Sequence, residues 1–215
     1  MEITLGICGT AGRKEDGKKL SKQYFESMVI VANGLLEQCE ENNYKITTLV
    51  SGGAAWSDFV AVHLYLNNKV PNLRLFLPAE WEDGSFKDTG QKDSTHNAGG
   101  TCNYYHKLFQ NTTRINSLSQ MQVAKLKGAE FIVVDKGFYA RNYLVAKSSD
   151  FLLAMTFGNG SQIKLKSGTE HCVRCYLERV KRGEIFDKSF HYDLNNGKIY
   201  LECTVAPKEK LLQKK

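Results

Sequence analysis

Three glycine-rich turns contain the residues of this sequence whose types and spacing could do chemistry. They span residues 9–13, 51–58 and 157–168. Glycine lets the backbone approach a ligand closely, and a helix that starts after such a turn offers unpaired N–H groups and the positive end of its dipole to an anion. Glycine is also common where a strand simply leads into a helix, so a structural role stays open for each turn. Together the turns predict a phosphate site, with Gly9, Thr10 and Arg13 as candidate contacts.

The spacing within these turns excludes two common nucleotide motifs. No turn ends in Gly-Lys-Ser or Gly-Lys-Thr at the length of a Walker A loop, and none has the Gly-x-Gly-x-x-Gly pattern of dinucleotide dehydrogenases. The sequence therefore predicts neither a standard NTPase site nor a hydride-transfer site, and it contains no cofactor motif.

The elements that must position these turns alternate between short apolar runs and helical patterns, which is typical of a parallel sheet with crossover helices. Strands are predicted at residues 3–8, 46–51, 73–78, 131–135 and 151–156, with 185–190 as a further candidate. Helices are predicted at residues 20–39, 57–67, 117–127, 138–147 and 169–182. We therefore expect one α/β domain over residues 1–206, with a Rossmann-like sheet flanked by helices on both faces and its ligand crevice at the carboxyl ends of the strands.

Residues 79–116 do not follow the alternation. The segment is rich in Asp, Gly, Asn and Thr, and irregular loops of this length are usually functional lids or linkers. Its aromatic residues favour a lid that packs back on the domain. Within it, Tyr104 and Tyr105 are candidates to stack on a base, with packing of the lid as the alternative. Residues 194–205 predict a turn that leads into a last edge strand.

Three short motifs resemble a known superfamily. They are Val-Ser-Gly-Gly-Ala-Ala-Trp-Ser-Asp at residues 50–58, Ala-Arg-Asn-Tyr-Leu-Val-Ala-Lys at residues 140–147 before a strand, and Ser-Gly-Thr-Glu at residues 167–170. In this respect the chain is similar to the SLOG superfamily, which joins the Lonely Guy phosphoribohydrolases with the DNA-processing A proteins. The resemblance implies a Rossmann-like sheet that grips a nucleotide phosphate.

Carried over by position, the resemblance implies roles for individual residues. It brings the backbone of Gly52 and Gly53 against the ligand and assigns Arg141 to an anionic group. A salt bridge to a nearby carboxylate is the alternative role for this arginine. The further phosphate-binding candidates that the motifs imply are Asn142, Gly168 and Thr169. Glu170 would then face the ribose.

Two functions from different classes remain open. Cleavage of an N-glycosidic bond needs a carboxylate at the sugar and a proton donor for the leaving base. Glu170 is the candidate for the first role and Asp58 for the second, although Asp58 also suits the first turn of a helix. The paired acidic pattern of the Lonely Guy enzymes is broken by Ala140 and His171, which favours a binding protein, a sensor or scavenger of nucleotide-derived ligands, over a nucleoside 5′-monophosphate hydrolase.

Composition bounds the partners and the compartment. With 42% hydrophobic and 24% charged residues the chain is typical of soluble globular proteins, and no apolar run is long enough to span a membrane. The net charge is +6, but the expected flexible tail at residues 207–215 contributes four lysines and one glutamate. No basic groove is left to favour nucleic acid, so the expected partner is a small-molecule nucleotide, and a homo-oligomer stays open.

The six scattered cysteines are typical of a cytoplasmic protein. Cys172 and Cys175 have the spacing of a metal-binding pair, but no second pair completes four ligands. The sequence therefore predicts no metal site.

Overall fold

The computed structural model describes residues 1–93, 96–134, 136–164 and 166–205. Its main sheet has seven strands in the order β6-β3-β2-β1-β7-β8-β9, in which only β9 is antiparallel to its neighbour. These strands are β1 (Glu2–Gly9), β2 (Lys45–Ser51), β3 (Asn72–Leu77), β6 (Glu130–Val133), β7 (Phe151–Thr156), β8 (Ser189–Asp193) and β9 (Lys198–Leu201). A separate two-stranded ribbon pairs β4 (Trp81–Glu82) with β5 (Ser85–Phe86).

Seven helices occur in the described residues. They are α1 (Glu15–Lys19), α2 (Lys22–Glu41), α3 (Ser57–Leu66), α4 (Ala98–Thr113), α5 (Ser117–Leu126), α6 (Gly137–Lys147) and α7 (Gly168–Lys181). Helices α2 to α5 pack on one face of the sheet, and α6 and α7 pack on the other. The prediction of a Rossmann-like sheet with helices on both faces is therefore confirmed.

Alternation along the strands supplies both faces of the core. On β7, Leu153 and Met155 pack toward α2 and α3, whereas Leu152 and Ala154 pack toward α6 and α7. Every residue of β7 is buried, as expected for a strand that is covered on both sides. The predicted edge strand near the carboxyl end is confirmed as β9.

The strand order places a switch point between β1 and β7. From β1 the chain builds the sheet outward through β2, β3 and β6, and it then returns to the other side of β1 with β7. The helix that follows β1 covers one face, and the helix that follows β7 covers the opposite face. Because the two connections diverge, a crevice opens at the carboxyl ends of these two strands.

Two predictions from sequence are wrong in detail. Residues 79–116 are not one irregular loop, because they contain the β4–β5 ribbon and the 16-residue helix α4. The helix begins at an Asn97 cap, whose side chain accepts a hydrogen bond from the N–H of Gly100 at 2.8 Å. The sixth predicted strand starts at Ser189 rather than residue 185. The predicted tail at residues 207–215 lies outside the described residues.

Candidate functional site

A cavity of about 300 Å³ lies in the crevice between the connections that follow β1 and β7. Its wall contains parts of four of the predicted segments: the turn after β1, the end of the turn after β2, the first half of α6 and the start of α7. The lining residues used below are Thr10, Arg13, Lys14, Asp16, Asp58, Phe138, Arg141, Asn142, Thr156, Lys164, Lys166, Gly168 and Thr169. The cavity therefore brings together seven of the predicted ligand contacts, which are Gly9, Thr10, Arg13, Arg141, Asn142, Gly168 and Thr169.

The turn after β1 is fixed by its own side chains. The Thr10 hydroxyl donates to Asp16 Oδ2 at 2.9 Å and accepts a hydrogen bond from the N–H of Gly12 at 3.2 Å. The other oxygen of Asp16 pairs with Lys164, which lies in the connection after β7. This buried carboxylate therefore ties the two sides of the cavity together.

The start of α7 is built as a capped helix terminus. The Ser167 hydroxyl accepts a hydrogen bond from the N–H of Glu170 at 3.0 Å and donates to the carbonyl of Lys164 at 2.8 Å. Gly168 and Thr169 form the first turn, where N–H groups have no acceptor within the helix. The side chain of Asn142 supports this turn by donating to the carbonyl of Gly168 at 2.9 Å. The positive end of a 14-residue helix therefore faces the cavity.

Arg141 lines the cavity but already has an anionic partner. Its Nη1 donates to Asp58 Oδ2 at 2.8 Å, and both side chains are buried. Burial raises the pKa of Asp58, against the effects of Arg141 and of the hydrogen bond from the N–H of Ala54. The alternative role of Arg141, a salt bridge to a nearby carboxylate, is the one seen here. Its Nε is also buried and has no hydrogen-bond partner among the described residues.

Gly52 and Gly53 do not line the cavity, unlike the expectation from sequence. A Cβ on Gly52 would lie 1.5 Å from Nη1 of Arg141, so this glycine makes room for the guanidinium. Gly53 has a φ of 66° and faces Leu77 in the core. Its carbonyl accepts a hydrogen bond from Nε2 of the buried His106 at 3.1 Å. The two glycines of this turn are therefore closed off by protein side chains, and only Ala54 and Asp58 from residues 51–58 reach the cavity wall.

Glu170 also lies outside the cavity wall. One carboxylate oxygen accepts a hydrogen bond from the backbone N–H of Lys166, and the other pairs with Arg174 at 2.8 Å. The residue therefore completes a helix cap together with Ser167. His171, next to it, packs edge-on against the Tyr139 ring, with centroids 4.9 Å apart. The catalytic role of Glu170 at a sugar stays a prediction.

Tyr104 and Tyr105 border a second, more open cavity of about 540 Å³. Arg13 and Lys14 line both cavities. The guanidinium of Arg13 stands 4.5 Å from the centre of the Phe138 ring and 5.4 Å from that of Tyr105. Arg13 therefore forms the partition between the cavities, held by cation–π contacts on both sides.

Sequence reasoning missed several residues of the cavity wall. Lys164 and Lys166 lie in the stretch between β7 and the Ser167 cap, and their signal was the presence of two cations after a strand that ends at the switch point. Asp16 and Thr156 were missed as well, since a single polar residue beside a turn or at a strand end carries no distinctive spacing.

Two kinds of feature are absent from the described residues. No group of three or more His, Cys, Asp or Glu side chains in this part of the chain is placed to hold a metal ion. None of the described helices combines the length and the apolar character needed to cross a membrane.

The chain is similar to a known viral protein. No protein-family model matches the chain. A protein of Acanthamoeba polyphaga mimivirus, named Uncharacterized protein R261, is 37% identical over 170 residues, which cover 78% of this chain and 87% of the viral protein. The similarity therefore extends over most of both sequences.

Proposed function

This chain belongs to the same family as the mimivirus protein, and we propose that its cavity binds the phosphate of a nucleotide or a nucleotide-derived ligand, as a sensor or scavenger. The charge of the cavity wall carries this proposal. The cavity is lined by five cationic side chains and by two carboxylates, those of Asp16 and Asp58. The cationic residues are Arg13, Lys14, Arg141, Lys164 and Lys166. Both carboxylates already pair with protein cations. Among the described residues, Arg13, Lys14 and Lys166 have no acidic partner, which leaves a net positive site for an anion.

The backbone adds to this charge. The N-terminus of α7 points its first N–H groups at the same space, and such a terminus favours phosphate over neutral ligands. A volume of about 300 Å³ is at the small end of ligand cavities, which suits a phosphate with an attached sugar. We place the base toward the second cavity, where Tyr104 and Tyr105 offer aromatic faces beyond Arg13.

We propose binding rather than hydrolysis because the three carboxylates in and beside the cavity already accept hydrogen bonds from protein groups. Asp58 accepts from Arg141, Asp16 accepts from Thr10 and Lys164, and Glu170 caps a helix. A hydrolase needs a carboxylate that can reach the sugar or activate water. Asp16 and Asp58 reach the cavity wall but already accept hydrogen bonds from protein donors, and Glu170 lies outside the wall, which favours binding.

The resemblance to the SLOG superfamily stays part of the proposal. A sheet with a cavity at the carboxyl ends of its strands is what that resemblance implies for the fold. We further propose a cytosolic location, which is supported by the free thiol state of all six cysteines.

The proposal is tested by calorimetric titration of inorganic phosphate and of nucleoside 5′-monophosphates into the purified chain. Lys166 is exposed and its side chain has no partner among the described residues, so Lys166→Glu removes a cation from the cavity without breaking a contact. We expect the variant to bind about 10- to 100-fold more weakly, the scale of a hydrogen bond to a charged group.

Lys107→Glu is the matched control, because Lys107 is an exposed residue of α4 outside both cavities and the change in net charge is the same. The control should bind like the wild type within about twofold. Equal weakening by the two variants would show a general charge effect and contradict a site in the cavity.

A further inference from the structure

A buried histidine stands behind the wall of the cavity. His191 of β8 is fully buried, and both of its ring nitrogens have partners. Nδ1 lies 2.6 Å from the carbonyl oxygen of Gly160, and Nε2 lies 2.9 Å from the hydroxyl oxygen of Thr156. Thr156 ends β7 and lines the cavity. The imidazole therefore connects the cavity wall to the loop that follows β7.

The partners of His191 decide where the protons lie. A carbonyl oxygen only accepts, so Nδ1 carries the proton that bonds to Gly160. Burial lowers the pKa of His191, and the ring is therefore neutral with a lone pair on Nε2. The Thr156 hydroxyl must then donate its proton to Nε2. Its oxygen can act toward the cavity only as an acceptor.

The surroundings hold His191 in this orientation. The N–H of Gly160 donates to Asp193 Oδ2 at 2.9 Å, and the Asn195 amide donates to the carbonyl of Gly158 at 2.7 Å. A Cβ on Gly158 would lie 2.4 Å from Cε1 of the imidazole, so the loop packs directly on the ring. The direction of the Thr156 hydroxyl is therefore set before any ligand arrives.

The acceptor at Thr156 stands beside donors in the cavity wall. The cationic side chains and the start of α7 are donors, and the two lining carboxylates already accept from Thr10, Lys164, Arg141 and Ala54. No described residue donates a hydrogen bond to the Thr156 oxygen. A dianionic phosphate monoester has no O–H donor, so a ligand with only that group would leave this acceptor unused.

We propose that Thr156 is a specificity-determining residue that accepts a hydrogen bond from a hydroxyl group of the ligand, so that the cavity selects a sugar phosphate over a bare phosphate. This inference rests on the proposed phosphate site and narrows its ligand to molecules that contain a hydroxylated sugar phosphate, such as ribonucleotides. His191 is the positioning residue that turns the hydroxyl into an acceptor.

The experiment compares methyl phosphate, the donor-free phosphate reference, with ribose 5-phosphate by calorimetry at a pH about two units above the second phosphate pKa of about 6. Wild type should bind ribose 5-phosphate about tenfold more tightly, the effect of one buried hydrogen bond. Thr156→Val should lose this preference and keep its affinity for methyl phosphate, because only the hydroxyl is removed. Thr156→Ser keeps a hydroxyl that His191 can orient, and it should keep most of the preference.

A second measurement needs no variant. The 2-deoxy and 3-deoxy analogues of ribose 5-phosphate, titrated into wild type, should include one that binds like methyl phosphate. If wild type binds methyl phosphate but neither Thr156→Val nor removal of a hydroxyl changes the preference, the role of Thr156 is overturned and the phosphate site stands. If wild type binds neither methyl phosphate nor ribose 5-phosphate, the proposed function is overturned and this inference with it.

Discussion

The turns after β1 and β2 are similar in sequence and opposite in use. The turn at residues 9–13 lines the cavity with Gly9, Thr10 and Arg13, whereas the turn at residues 51–58 is filled by Arg141 on one side and Leu77 on the other. Both contain glycines directly after a buried strand. A glycine at a strand end therefore makes room either for a ligand or for a protein side chain, and the sequence of the turn does not distinguish the two.

The strand order explains the difference. β1 lies at the switch point, where its helix and the helix after β7 leave on opposite faces and a crevice opens between them. β2 lies between β1 and β3, whose connections pack on the same face as its own. The glycines of the turn after β2 are therefore covered by their neighbours.

The largest expected effect is on the free energy of unfolding, when a glycine is replaced by alanine in a closed turn (Gly52) and in a turn that borders the cavity (Gly168). Gly52→Ala would place a Cβ against the guanidinium of Arg141 and separate it from Asp58. Loss of one partner of a buried ion pair costs about 3 to 5 kcal/mol, so we expect that decrease in the free energy of unfolding in urea. Gly168→Ala in the open turn meets only the side-chain amide of Asn142, at 3.1 Å, and should cost less than about 1 kcal/mol.

Equal costs for the two substitutions would remove the distinction between a closed and an open turn.

Arg141→Ala should resemble Gly52→Ala in its free energy of unfolding, because it also leaves Asp58 buried without its cation.

The stability of the protein should depend on pH through His106, whose imidazole bonds to the Gly53 carbonyl in the closed turn. Burial lowers the pKa of His106 to about 4, whereas an unfolded chain has a histidine pKa of about 6.5. Between these values the unfolded chain binds a proton that the folded chain does not, so stability falls as the pH drops from about 6.5 to about 4. The expected loss is about 3 kcal/mol over this window.

The measurement is urea unfolding across this pH range for wild type and His106→Gln. Glutamine can donate to the Gly53 carbonyl and accept from Ser117, which His106 contacts at 2.8 Å, but it does not titrate. The variant should therefore lack this part of the pH dependence. Parallel curves for the two proteins would contradict the role of His106.

The smallest effect is expected at Glu170, in the cap of the helix that borders the open turns. Glu170→Gln weakens the pair with Arg174 and keeps an acceptor for the N–H of Lys166, so it should cost about 0.5 to 1 kcal/mol of stability. Nucleotide affinity should not change. Release of free base from nucleoside 5′-monophosphates by wild type, lost in the variant, would instead identify Glu170 as catalytic.

The sequence predicted the fold well because strand and helix periods are local signals. It also predicted Thr10, Arg13, Gly168 and Thr169 at one cavity, since the carboxyl ends of parallel strands meet at one edge. Gly52 was misassigned because its use depends on strand order, which no local pattern contains. The role of Glu170 stays a prediction, because a capping and a catalytic carboxylate have the same sequence signature.

Helix α4 was missed for a compositional reason. Its glycine, asparagine and threonine residues are typical of loops, yet Cys102, His106, Phe109 and Thr113 are buried at helical spacing. That periodicity was the available signal. The lid role of residues 79–116 stays a prediction.

The central claim is that the turn after β1 and the start of α7 form one anion site. Its most direct test is a crystal structure grown with a saturating nucleoside 5′-monophosphate such as AMP. We predict the phosphate within hydrogen-bond distance of the N–H groups of Gly168 or Thr169, facing Arg13 and Lys166. A nucleotide bound elsewhere, with the cavity between β1 and β7 empty at saturation, would contradict the account.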